Sequence, residues 1–360
     1  MSETLGLSAA DRVLVFAPHP DDESIACGGL LLAARDAGAE RRVIVVTDGD
    51  NNPWPQRWIE KRWHIDADAR ARWGARRRAE AQAALDVLGV DPAQRCFLGL
   101  ADMGLTDLLM GNSAALVSRL HEQIVEFRPS LIVLPGLADR HPDHSAVHIA
   151  ARLALLRVEA STSPRLLTFS VHGDADPANR VDVPLNADQV AAKQRSIFSH
   201  DTQMRLSRRR FLAYATTVEV YRDQTSLAER PDNLLQARFS APGALELQVD
   251  LRRLRGSLAS QHLLVLLERA QGANLRWRVS LANKRAAILD GSPGQVVGTV
   301  DWRRENYRQV ATVPVPTGPP ALAGYVKLAR IRPSLFVLDR YQWQELEIPQ
   351  ACLSGLLTKG

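Results

Sequence analysis

The stretch RVLVFAPHPDDE, residues 12–23, decides the fold of this chain. Its first half is a continuous apolar run of the kind that forms a buried parallel strand. Its second half places one imidazole and three carboxylates within five residues, from His19 to Glu23. Such a concentration of polar groups at the end of a buried strand is costly unless a ligand neutralises it. A divalent cation suits these donors best.

A second cluster of the same kind occurs far along the chain. The run DRHPDH, residues 139–144, comes shortly after the apolar run LIVL, residues 131–134. In an open α/β sheet, ligands bind beyond the carboxyl ends of the strands. We therefore interpret the two clusters as the halves of one metal site.

The first two-thirds of the chain alternates between strand and helix patterns. The strand patterns are at 12–17, 42–47, 96–98, 131–134 and 165–171, and the helix patterns are at 26–37, 75–88, 114–126 and 145–156. This alternation predicts a Rossmann-like, doubly wound, mostly parallel α/β sheet.

The composition turns polar at 223–232, and we predict a domain boundary there, with one domain over 1–228 and another over 234–360. The second part contains short alternating runs punctuated by Gly, Pro and Asn, which predict a small all-β sandwich. Its last stretch, 323–348, resembles the final strands of jelly-roll carbohydrate-binding modules. A glycan is therefore one candidate partner of this domain.

Length and composition indicate an ordinary globular protein of two domains, with 360 residues and 46% hydrophobic content. The three cysteines, Cys27, Cys96 and Cys352, lack metal-ligand spacing and favour a reducing compartment. No secretory signal and no transmembrane segment is evident, so we expect a cytoplasmic protein.

The charge is unevenly distributed, because residues 234–360 hold 17 Lys and Arg against 9 Asp and Glu. Two interpretations stay open, an anionic surface or glycan as partner and simple solvated arginines. Nucleic acid is not expected as a partner.

The two clusters resemble the hallmark motifs of the PIG-L/LmbE-like family of metal-dependent N-acetylglucosaminyl de-N-acetylases. These motifs are AxHPDDE near the first strand, here residues 17–23, and a later HPDH, here residues 141–144. Both are present without substitution, and the resemblance extends over about 14–221. It implies removal of an N-acetyl group from an N-acetylated amino sugar of the GlcNAc type, in a glycoconjugate or its lipid- or nucleotide-linked precursor.

The resemblance assigns the metal to His19, Asp22 and His144. Two histidines and one carboxylate leave coordination positions open, as in catalytic zinc sites, so Zn²⁺ is the first expectation, with Fe²⁺ or Co²⁺ also suited. Asp21 is expected to be the general base. His141 is expected to stabilise the oxyanion or to protonate the leaving amine.

Looser family patterns imply further roles. Asp143 would hold a histidine ring in its correct tautomer. Arg77, Asp102 and His200 would contact the substrate, although Thr202 replaces the serine of the family's HxSQ element beside His200.

The segment 54–73 contains four of the seven tryptophans, interleaved with arginines and a lysine. Stacking on substrate sugar rings and a packed lid or oligomer contact are equally open interpretations. Alternatives for the whole protein are an amidase on a thiol–sugar conjugate or antibiotic intermediate, and a non-catalytic glycan-binding protein.

Overall fold

The computed structural model describes residues 3–158, 163–173, 178–224, 234–241, 243–272, 274–291, 295–330 and 338–349. The chain divides into a first unit, residues 1–106 and 118–228, and a second unit, residues 107–117 and 229–360. The sequence pattern did not assign residues 107–117 to the second part. Of the predicted boundary at 223–232, the part from residue 225 onward lies outside the described residues. Cys352 also lies outside them.

In the described part of the first unit, the strands form one eight-stranded sheet. They are β1 (Glu3–Thr4), β2 (Arg12–Ala17), β3 (Glu40–Thr47), β4 (Arg95–Leu100), β5 (Leu131–Pro135), β6 (Arg165–Phe169), β7 (Arg180–Pro184) and β8 (Val218–Asp223). The sheet order is β1-β7-β8-β6-β5-β2-β3-β4. Strands β4, β3, β2, β5 and β6 run parallel, whereas β8 pairs antiparallel with both of its neighbours.

Eight α-helices lie within the described residues, and all but the middle of α5 belong to the first unit. They are α1 (Asp22–Ile25), α2 (Gly28–Asp36), α3 (Pro53–Glu60), α4 (Ala67–Val87), α5 (Leu105–Phe127), α6 (Pro142–Leu155), α7 (Ala187–Phe198) and α8 (Asp201–Leu212). Helix α5 is irregular at Asn112. None of these helices is both long and apolar enough to span a membrane.

The centre of the sheet explains where the charged motifs lie. Residues 13–17 of β2 and 43–46 of β3 are fully buried, as their continuous apolar sequence requires. The chain runs from β2 outward through β3 and β4, and then returns to β5 on the other side of β2. The strand order therefore reverses between β2 and β5, and this position is the topological switch point. The two motif clusters, residues 17–23 and 139–144, follow the carboxyl ends of these two strands. The predicted parallel α/β core is confirmed.

The described part of the second unit contains two antiparallel sheets. Their strands are β9 (Leu235–Ala241), β10 (Ala244–Asp250), β11 (Gln261–Arg269), β12 (Leu275–Ser280), β13 (Arg285–Asp290), β14 (Val296–Asp301), β15 (Arg303–Glu305), β16 (Arg308–Pro314), β17 (Ala321–Arg330) and β18 (Gln344–Glu345). One sheet has the order β15-β16-β10-β9 and the other β14-β13-β12-β11-β17-β18. Side chains that alternate along these strands form a separate apolar core that includes Val249, Val265 and Val313.

A buried arginine fixes residues 107–117 within the second unit. Arg276 of β12 donates to Glu268 Oε2, to Ser113 Oγ and to the carbonyl of Leu109. The contacts with Leu109 and Ser113 span 167 and 163 positions of sequence, which is why no local pattern could indicate them.

Candidate metal centre

The loop after β2 turns sharply at Asp21, whose φ of 143° is rare for a residue with a side chain. Thr47 fixes the start of this loop, because its amide and its hydroxyl both donate to the carbonyl of Pro18. The carboxylate of Asp22 accepts from the amide of His19 at 2.9 Å. The loop thus folds back on itself, so that His19 and Asp22 face the same point.

His144, on the first turn of α6, completes a triangle with these two residues. The distances His19 Nδ1–Asp22 Oδ2, His144 Nε2–Asp22 Oδ2 and His19 Nδ1–His144 Nε2 are all 3.3 Å. Ligands about 2.0–2.1 Å from a tetrahedral Zn²⁺ would be separated by roughly 3.3–3.4 Å. The three buried donors therefore fit a divalent metal in both chemistry and spacing.

Asp139 supports His144 from the side opposite the triangle. Its Oδ2 lies 3.1 Å from His144 Nδ1, and the carboxylate also accepts the amides of His141, Val171 and His172. Burial alone would lower the pKa of His144, but Asp22 and Asp139 raise it to about 10. A carboxylate on the second nitrogen of a metal-binding histidine fixes its tautomer and orientation. The sequence analysis did not assign Asp139 this role, although it opens the same acidic run.

His19 has two carboxylates beside its second nitrogen. Nε2 lies 3.2 Å from Asp102 Oδ1 and 3.4 Å from Asp143 Oδ2. Asp143 is fixed by the amides of Met103 and Leu105, which donate to it. Asp143 thus stands where it can orient a histidine ring. Asp102 is buried against His19, and its predicted contact with a sugar hydroxyl stays a prediction.

Asp21 points toward Arg77 of α4. Arg77 Nη2 donates to Asp21 Oδ2 at 3.0 Å and to the carbonyl of Pro20, while Nη1 donates to the carbonyl of Gly49. Gly49 has a φ of 59°, and a Cβ there would lie 1.9 Å from Arg77 Nη1, so glycine is required. Burial raises the pKa of Asp21 to about 6, and Arg77 opposes that rise. The buried guanidinium therefore holds Asp21 in place. The predicted contact of Arg77 with substrate stays a prediction.

His141 is the N-cap of α6, and its ring lies close to those of His19 and His144. The ring centroids are 4.4 Å from His19 and 5.1 Å from His144. Nδ1 accepts from the amide of Asp143 at 3.3 Å, so the proton of the neutral ring is on Nε2. Burial, together with the neighbouring His19 and His144, holds the pKa of His141 well below its usual value. His141 is thus a neutral ring with one N–H to donate.

Residues 14–155 match the family described as PIG-L: GlcNAc-PI de-N-acetylase. These residues form a PIG-L family domain. The family resemblance predicted from the two motifs is thereby confirmed, and the matched range contains both of them.

Relatives of the PIG-L domain include two enzymes named 1D-myo-inositol 2-acetamido-2-deoxy-alpha-D-glucopyranoside deacetylase. The protein from Gordonia bronchialis is 29% identical over 173 residues, which cover 44% of this chain and 61% of that protein. The protein from Kineococcus radiotolerans is 31% identical over 169 residues, or 40% of this chain and 45% of that protein. The chain thus spans about half the length of these two relatives.

Among solved structures, this chain is similar to N,N'-diacetylchitobiose deacetylase from Pyrococcus horikoshii. The two are 18% identical with a TM-score of 0.44, and the match covers 59% of this chain and 83% of that chain.

His200 lies beyond the matched range and is fully buried. Its Nε2 is 2.8 Å from Glu23 Oε1 and 3.1 Å from Ser24 Oγ. Burial would lower the pKa of His200, but Glu23 and Asp21 raise it. Nearby, the Thr202 hydroxyl donates to Glu80, as a serine could. His200 thus supports the motif loop of the PIG-L domain through Glu23, and a contact with substrate stays a prediction.

Proposed function

We propose that this chain is a metal-dependent hydrolase that removes the N-acetyl group from an N-acetylated amino sugar of the GlcNAc type, in a glycoconjugate or its precursor. The observation that carries the proposal is the equal-sided triangle of His19, Asp22 and His144 donors, with Asp21 next in sequence, inside a PIG-L domain. Two imidazoles and a carboxylate suit Zn²⁺ at a catalytic site, with Fe²⁺ or Co²⁺ as substitutes. When bound, such a metal polarises the amide carbonyl and makes water more acidic.

Asp21 is the proposed general base. The strained backbone turns its carboxylate toward the guanidinium of Arg77, so it is held in a fixed position. In the proposed reaction it takes a proton from the attacking water as the new C–O bond forms. It then returns that proton to the nitrogen as the amide C–N bond breaks, and acetate and a free amine are released.

His141 is the proposed donor to the oxyanion. Its ring is neutral, its Nδ1 is occupied by the amide of Asp143, and its Nε2 carries a hydrogen. A preorganised N–H next to the reacting carbonyl stabilises the negative charge that develops on oxygen.

Arg77 acts on this chemistry through Asp21 and is a positioning residue in the proposal. Its two carbonyl partners fix the guanidinium, and the guanidinium fixes the carboxylate. A base must lie within hydrogen-bond reach of the proton that it takes, so misplacing Asp21 would slow the reaction.

The substrate and the second part of the chain belong to the same proposal. The names of the two relatives support an N-acetylated amino sugar linked to inositol as the first compound to test. For residues 234–360 we propose a jelly-roll-like β-sandwich that binds a glycan or an anionic surface, supported by antiparallel sheets and a surplus of arginine.

The test measures metal and acetate together on the purified full chain. Elemental analysis gives the metal content, and acetate release is followed with GlcNAc, N,N'-diacetylchitobiose, inositol-linked GlcNAc and nucleotide-linked GlcNAc, with and without chelator. The proposal predicts one equivalent of metal and acetate release that stops on chelation and returns on adding Zn²⁺. A chain that binds no metal, or that releases acetate equally well in chelator, contradicts it.

A further inference from the structure

Three tryptophans of the segment 54–73 are exposed around one groove. Trp54 and Trp58 of α3 and Trp63 beyond it have 57%, 73% and 83% of their surface exposed. Together with Ile59 they line a groove of about 590 Å³. Trp73, the fourth tryptophan of the segment, is buried and belongs to the core. Exposed apolar surface of this extent on a folded domain marks a binding site.

Cationic side chains line the same groove as the exposed rings. Arg57, Lys61 and Arg205 line the same groove, and among the described residues that line it none is acidic. The guanidinium of Arg57 lies 5.2 Å from the ring centroid of Trp54, and its Nε donates to the carbonyl of Trp63. The groove thus combines indole rings with positive charge.

The helix that carries part of the groove, α3, is packed against the rest of the first unit. Pro55 and Gln56, on the inner side of α3, are buried, and the Gln56 side-chain amide donates to the carbonyl of Ala69 in α4 at 2.7 Å. Trp54 and Trp58 are therefore held outward by a packed helix, so docking through them requires little ordering of the chain.

We propose that this groove docks the protein on a bilayer surface that contains anionic lipids. Indole rings favour the membrane–water interface, where the ring is among acyl carbons and the N–H meets water and headgroups. Basic residues beside them are attracted to anionic headgroups. A small anion in water would engage the cations and leave three indole rings exposed, whereas an anionic bilayer satisfies both features.

Docking would bring the bilayer close to the metal centre. The amide of Asn51 donates to Asp102 Oδ2, and Asp102 lies against His19. Trp54 follows Asn51 by three residues, so the two Cα atoms are at most about 11 Å apart. Docking itself does not depend on the hydrolase proposal, because it is measured without turnover.

The test is sedimentation of the full chain with vesicles, together with its tryptophan emission. We expect binding and a blue shift with vesicles of equal parts phosphatidylcholine and phosphatidylglycerol, and much weaker binding with phosphatidylcholine alone or at high salt. Lys61→Gln should reduce partitioning about fivefold. Adding Arg205→Gln should reduce it further but by less, because Arg205 is paired with Asp201. Trp58→Ser with Trp63→Ser should reduce it about tenfold or more.

Matched controls lie in the first unit, outside the groove. Arg128→Gln with Arg195→Gln removes two exposed cations, and Leu156→Ser removes an exposed apolar side chain, so both should bind as the wild type does. The proposal is overturned if the wild type does not sediment with anionic vesicles, or if the groove variants bind as well as the controls. A dimer interface is the alternative role of these tryptophans. The proposal is also overturned if the wild type is a dimer, Trp58→Ser with Trp63→Ser makes it a monomer, and that variant still binds vesicles as the wild type does.

Discussion

Two adjacent acidic residues, Asp21 and Asp22, have opposite orientations because the backbone between them is strained. The φ of 143° at Asp21 costs of order 1–3 kcal/mol, and surrounding contacts must maintain it. The carboxylate of Asp22 lies 3.3 Å from both His19 and His144, whereas that of Asp21 accepts from Arg77. The adjacent residues Asp21 and Asp22 can therefore supply the proposed general base and a proposed metal ligand, respectively.

Asp21→Asn tests the proposed base. The amide has the same shape but cannot take a proton, so kcat should fall by about 10²–10⁴ while the metal content stays at one equivalent. Acetate release and elemental analysis measure the two effects. A near-wild-type rate would exclude Asp21 as the base, and loss of metal would show that it acts mainly on the ligand loop.

Arg77→Gln tests the positioning role. The substitution leaves a buried carboxylate and two carbonyls without their donor, so the free energy of unfolding should fall by about 3 kcal/mol and kcat should fall as well. Urea unfolding and acetate release measure this. The control is the neighbouring Arg78→Gln, which removes a partly exposed pair with Asp48 and should cost less than about 1 kcal/mol. Equal losses in the two variants would contradict the role.

Among the elements, α2 is fixed to the sheet by one buried carboxylate. Glu219 of β8 accepts from the amides of Gly29 and Leu30 at the start of α2, from the Tyr221 hydroxyl and from Lys193 of α7. The helix approaches so closely that a Cβ at Gly29 would lie 2.8 Å from the Glu219 carboxyl carbon. A negative charge at a helix N-terminus is also favourable for the helix dipole.

Glu219→Gln should therefore destabilise the protein by about 3 kcal/mol, because it leaves the buried Lys193 ammonium without a countercharge. The double variant with Lys193→Met should recover part of that loss, since the unpaired charge is then gone. Urea unfolding of both single variants and the double variant gives the coupling. If the losses simply add, the pair does not act as a buried ion pair.

The sequence predicted those elements whose patterns are local. Continuous apolar runs predicted β2, β3 and β5. The two motifs predicted which loops hold the proposed metal ligands, namely those after β2 and β5. Helices α7 and α8 were missed, although Asn186 and Gln189 form a capping box at the start of α7 that could have indicated it. The role of Glu219 depends on Gly29 and Leu30, which are 190 and 189 positions away in sequence, so only the folded chain shows it.

At the scale of the whole molecule, the proposed metal ligands bring together distant parts of the chain. His19 and His144 are 125 positions apart, and they follow β2 and β5, the strands that meet at the switch point. A metal that binds the folded state but not the unfolded one stabilises folding, by about 2.7 kcal/mol at a hundred times its Kd. Metal binding and the stability of the first unit should therefore be linked.

Chelation should accordingly lower the Tm of this unit by about 5–10 °C, and added Zn²⁺ should restore it, as followed by scanning calorimetry. His144→Ala removes a ligand, so its Tm should no longer respond to chelator. His148→Ala, one helical turn further along α6, removes a buried ring next to the carbonyl of Pro135. That variant should be less stable yet keep the full response to chelator, which separates loss of packing from loss of metal. An unchanged wild-type Tm in chelator, or the same shift in His144→Ala, would contradict the assignment of the ligands.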